Sequence, residues 1–72
     1  MRFWRIYHQP ALNYDQKERA KEWTSLSIRI VDKPIPHIVC WDGTEDAVGE
    51  LADFLKYRSL DVICIQRDEG QP

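Results

Sequence analysis

Asn13-Tyr14-Asp15-Gln16-Lys17-Glu18-Arg19-Ala20-Lys21-Glu22-Trp23 is the stretch on which the topology of this 72-residue chain turns. Asn13 suits a helix N-cap, and Gln16 stands three residues later, in capping-box position. Residues 14–23 are strong helix formers without Gly or Pro. The apolar stripe they offer is thin. Leu12, Ala20 and Trp23 share a face, and Tyr14 points elsewhere. Two readings stay open here: a helix over 14–23, or a charged loop.

The flanking segments read more plainly. Residues 2–8, Arg-Phe-Trp-Arg-Ile-Tyr-His, are dense in aromatic and branched types and predict a first strand that Pro10 ends. In residues 24–32, Leu26, Ile28 and Ile30 alternate with Ser25, Ser27 and Arg29, the period of a half-buried strand. Asp32-Lys33-Pro34 is a turn, and Pro36 suits a strand start or an edge. Residues 37–41 form the next strand, which Asp42-Gly43 closes. Thr44 then caps a helix over 45–57, with Glu45 and Asp46 in its first turn, where the dipole favours acids. Ala47, Val48, Leu51, Ala52, Phe54 and Leu55 fill one arc of that helix, while Gly49 falls on the polar arc. Residues 60–67 predict a last strand, leaving 68–72 as a loose tail.

With the first helix present, the order is β-α-β-β-α-β. That is the split βαβ, ferredoxin-like α+β plan: a four-stranded antiparallel sheet with both helices on one face. With a loop instead, it becomes a β-β-β-α-β meander carrying one helix. Either way residues 1–67 make a single small domain. Leu26, Ile28, Ile30, Val48, Leu51 and Leu55 are expected to form its central core.

Composition narrows the function classes. With 43% hydrophobic residues and three Trp, the chain can build a core, which excludes a disordered protein. Its apolar runs fall far short of the ~20 residues of a membrane helix, so no membrane role is expected. Met1-Arg2-Phe3-Trp4-Arg5 puts charges where a signal peptide needs an apolar stretch. Two Cys are too few for a disulfide scaffold and suit a reducing compartment. A cytoplasmic location is therefore expected, with Cys40 and Cys64 unpaired. His37 and Cys40 stand three apart on a strand, so they point to opposite faces. With only His8 and Cys64 to add, no metal site is expected. No phosphate loop or nucleophile signature appears, so neither catalysis nor a cofactor is expected.

Charge is segregated along the chain. Residues 1–33 carry seven basic and four acidic side chains, and residues 34–72 carry three and eight. Within the acidic half, Asp46, Glu50 and Asp53 are spaced i, i+4 and i+7 on the solvent side of the second helix, and Tyr57 continues the stripe. Like charges at i,i+4 cost about 0.2–0.5 kcal/mol per pair, so the stripe calls for a use outside the folded monomer. The expected function is a non-catalytic, regulatory protein-binding module that docks this face, with Asp42 and Glu45 at its rim, onto a basic surface of another protein. Fold-level analogy extends the expectation to phage- or mobile-element-encoded inhibitors of host nucleic-acid machinery, of the CRISPR-effector or RNA-polymerase type. A homodimer is also expected, since a one-sided sheet leaves an open face. The alternative is single-stranded nucleic acid binding through Phe3, Arg5, Tyr7 and Trp41 on that open face. An isoelectric point near 5.6 argues against it. So does the third strand, which lacks the glycine–aromatic signature of RNA-recognition motifs.

Overall fold

The computed structural model describes residues 2–41 and 43–69, and of Arg2, Asp68 and Glu69 only the backbone. Strand β1 (Arg2–Gln9) is followed by helix α1 (Tyr14–Trp23), strands β2 (Ser27–Val31) and β3 (His37–Trp41), helix α2 (Glu45–Tyr57) and strand β4 (Asp61–Glu69). The order is β-α-β-β-α-β, and the stretch that left two topologies open is a helix. Asn13 Oδ1 accepts from the Gln16 amide at 2.8 Å, and Gln16 Oε1 accepts from the Asn13 amide at 2.9 Å. This reciprocal box satisfies two amides that a bare helix end would leave unbonded. Thr44 caps α2 in the same manner, its hydroxyl accepting from the Ala47 amide. At the other end of α2, Ser59 takes φ 69° and turns the chain toward β4.

The sheet runs β2-β3-β1-β4, every neighbouring pair antiparallel. β1 and β3 are therefore central, and β2 and β4 are edges. Ile6 on β1 and Ile38 and Cys40 on β3 are fully buried beneath Val48, Leu51, Ala52 and Leu55 of α2. α1 joins the same side. Its Ala20 is buried, and its Trp23 stacks on Phe54 of α2 with ring centroids 4.8 Å apart. Lys17 Nζ reaches Asp32 Oδ2 at 2.7 Å and fastens α1 to the turn after β2. Between β3 and α2 the chain passes close to the core. The Trp4 indole donates to the Gly43 carbonyl at 3.0 Å, and a Cβ at Gly43 would meet Leu26 Cδ2 at 3.0 Å.

Two expectations are adjusted. Leu26, Ile28 and Ile30 pack against the core but are only half-buried, so they line its margin rather than its centre. Alternation identifies the covered face of a strand, whereas edge position decides how deep that face lies. β4 runs to Glu69, two residues beyond the expected end, because it pairs with β1 as far as Arg2. Asp42 and residues 70–72 lie outside the described residues.

Candidate functional site

The four-stranded sheet divides the molecule into two outward surfaces. One is the outer crest of α2. Val48, Leu51 and Leu55 point inward, so at 100° per residue Asp46, Glu50, Asp53 and Tyr57 share the opposite arc. All four are exposed, Tyr57 at 84%. Asp53 has a cation neighbour, Lys56 Nζ at 3.8 Å, one turn along the helix. Both side chains of that pair are well exposed, a setting in which such contacts contribute little. Glu45 is exposed at the N-terminal end of the same crest, and Asp42 lies outside the described residues.

The other surface is the uncovered face of the sheet. Ile6 and His8 are buried toward the helices, so Phe3, Arg5 and Tyr7 project the other way. Pairing places Trp41 opposite Phe3, Val39 opposite Arg5 and His37 opposite Tyr7. Pairing with β2 adds Ser27, Arg29 and Val31 to the same three rows, and pairing with β4 adds Asp68 to the first, Gln66 to the second and Cys64 to the third. By backbone pairing the rows read Ser27-Trp41-Phe3-Asp68, then Arg29-Val39-Arg5-Gln66, then Val31-His37-Tyr7-Cys64. Two aromatic pairs thus bracket a row with two arginines. The Arg5 guanidinium lies 4.8 Å from the Phe3 ring centroid, and the Tyr7 and His37 centroids are 5.1 Å apart. His37 Nδ1 donates to the Ile35 carbonyl at 2.7 Å, which fixes its ring. Below the third row a shallow apolar hollow of about 430 Å³ is lined by Tyr7, Ile35, Ile63, Cys64 and Gln66. Ile63 faces it because β4 carries a bulge opposite Tyr7 and His8.

Sequence reasoning grouped Phe3, Arg5, Tyr7 and Trp41, and the structure brings them onto one face. It missed His37 and Gln66 as members. The alternation in residues 24–32 already turned Arg29 away from the core. Only the pairing register, a non-local property, puts it in the row next to Trp41.

The Cys and His side chains are dispersed. Cys40 is buried on the covered face and Cys64 is exposed on the open one, and both are free thiols. Burial pushes the Cys40 thiol up to about 11. His37 lies on the open face, whereas His8 is fully buried beneath the helices. His8 Nδ1 donates to the Pro10 carbonyl at 3.0 Å, and its Nε2 is buried without a hydrogen-bond partner. Burial lowers the His8 pKa, and nearby His37 adds to this, against the opposing pull of the Pro10 carbonyl and Asp32. Among the described residues no helix is long and apolar enough to cross a membrane. Comparison with protein-family models, with curated proteins and with solved structures finds no match to this chain.

Proposed function

We propose that the chain is a non-catalytic binding module that docks the α2 crest onto a basic surface of another protein. The observation behind this reading is the crest itself. Asp46, Glu50 and Asp53 stand in one line on the side away from the core, and among the described residues neither Asp46 nor Glu50 has an ion-pair partner. The arrangement weakens the helix slightly, through like charges a turn apart. Complementary charge on a partner would turn that cost into faster and more selective association. Tyr57 supplies an exposed aromatic at the end of the stripe, of the kind interface centres favour. A positively charged nucleic-acid groove on another protein is a partner of suitable chemistry.

The test is a triple reversal of Asp46, Glu50 and Asp53 to Lys, with folding checked by denaturation. Immobilised wild-type protein should retain a salt-sensitive basic partner from cells of its source, and the triple variant should lose it. Equal retention by the folded variant at low salt would make the crest an ordinary solvated helix face.

A further inference from the structure

We infer that the outer edge of β4 pairs antiparallel with the same edge of a second copy of the chain, about a two-fold axis at Cys64. The two edges of the sheet differ. β2 is five residues long and is followed closely by Pro34. Brevity and a nearby proline are ways in which natural sheets close an edge. β4 is nine residues long and has a neighbour, β1, on one side only. Between Asp61 and Arg67 it carries neither proline nor charge. Its middle is apolar and open to solvent, with Ile63 56% and Ile65 40% exposed.

The sides on which its residues lie decide the register. Facing residues of an antiparallel pair point to the same side of the sheet. Pairing with β1 puts Cys64 and Gln66 on the open side, with Tyr7 and Arg5. It puts Val62, Ile65 and Arg67 on the covered side, with His8, Ile6 and Trp4. Asp61 pairs with Gln9, one step beyond His8, and so lies on the open side. Ile63 is the bulged residue and is passed over.

An axis at Cys64 then sets the two Cys64 against each other, Ile65 against Val62 of the second copy, and Gln66 against its Asp61. The last two pairs occur twice. Each is matched, apolar with apolar and a carboxylate with an amide that can donate to it. The ladder ends there, so Arg67 falls outside it. Axes at Ile65, Gln66 or Arg67 instead set the Arg67 guanidinium against Val62, Ile65 or a second Arg67. The edge is therefore complementary in polarity and charge to itself, in one register, and the occupant that register specifies is the chain itself. The pairing extends the sheet sideways and leaves the α2 crest uncovered, so it stands independently of the function proposed for the crest.

The experiment is sedimentation equilibrium at up to hundreds of micromolar, followed by oxidation with diamide. The wild type should sediment at twice its 8.6 kDa chain mass. Facing Cα atoms of an antiparallel pair lie ~4.5–5.5 Å apart, a span a disulfide bridges. Oxidation should therefore link two Cys64 thiols, each losing its hydrogen to the reagent. Cys40 is buried, so Cys64 alone reports the register. Cys64→Ser should sediment as a dimer and resist linking. Ile65→Lys, at an exposed position, should raise the dissociation constant at least tenfold without unfolding the chain. Gln66→Lys, facing Asp61 twice, should tighten the dimer about fivefold, and Gln66→Glu should loosen it by as much. Monomeric wild type at the highest concentration overturns the pairing. So does a dimer in which Cys64 does not link, or one indifferent to the Ile65 and Gln66 variants, since the copies would then meet through another surface.

Discussion

Asp46, Glu50 and Asp53 reach solvent from a single helix, whereas Trp41, Arg29, Arg5 and Tyr7 come together from three strands. The crest is a local object. Its line of charge follows from helical spacing and would form on any α2 that kept its phase. The open sheet face is a product of topology. Move β2 from the outside of β3, or slip the β1–β3 register by one residue, and the arginine row separates from the aromatic rows. The two surfaces are also opposite in chemistry, carboxylates on one and guanidinium with rings on the other, with the core between them. The segregation of charge along the chain becomes, in part, segregation across its thickness.

The largest effect expected from any single change is one that removes both surfaces together. Leu51 is fully buried among Ile6, Ile38, Val48 and Leu55, on the side of α2 opposite the crest and on the side of the sheet opposite its open face. Leu51→Ala should cost about 2–5 kcal/mol. A chain of this size holds only about 4–11 kcal/mol in all. Urea denaturation measures the loss, and capture of a basic partner should fall with the folded fraction. By contrast Ile30→Val, at the half-buried margin on β2, should cost about 0.5 kcal/mol. Equal midpoints for the two variants would remove the distinction between a core centred on β1 and β3 and its edge.

A smaller effect acts from beneath the open sheet face. His8 sits on the covered side of β1, next to Tyr7 on the open side, with Nε2 bare in the interior. Its native pKa is lowered by burial, so the unfolded chain binds a proton more readily than the folded one. The sign follows: stability is full above the unfolded histidine value of about 6.5 and falls as pH drops below it toward the lowered native pKa. His8→Phe should flatten the profile in that interval. A wild-type midpoint that stays level between neutral and mildly acidic pH would mean that Nε2 is reached by water or by a donor in solution.

How much of this was legible in the sequence differs between the two surfaces for the same reason that they differ in construction. Capping at Asn13 and Thr44, the phase of α2 and the position of its acids are properties of residues within a few places of one another, and the chain states them directly. The thin stripe of α1 left a loop open because half of what holds that helix is distant. Trp23 stacks on Phe54, and Lys17 bonds Asp32. The open face was legible only as far as β1. Phe3, Arg5 and Tyr7 could be placed on one side by alternation, but Arg29 and His37 enter through pairing partners that no local pattern names. The depth of Leu26, Ile28 and Ile30 was hidden similarly, since their alternation is the same on an edge strand as on a central one.

The smallest change sharpens the comparison most, because for the crest it sets stability against function. Glu50 stands four residues after Asp46 and three before Asp53, so it is the carboxylate with like-charge neighbours on both sides. Glu50→Lys would replace two repulsions with two attractions, and the Asp46-to-Lys order at i,i+4 is the favourable one. Asp53 already has Lys56 nearby, so the second gain is partial. The net should be a rise of a few tenths of a kcal/mol, up to about 1, and it should fade in high salt, where exposed charges are screened. If the crest serves only to keep the helix hydrated, the variant is more stable and retains everything the wild type retains. If the crest meets a basic partner, the same substitution raises the urea midpoint and weakens capture. A more stable variant with undiminished capture would strip the acidic stripe of its role.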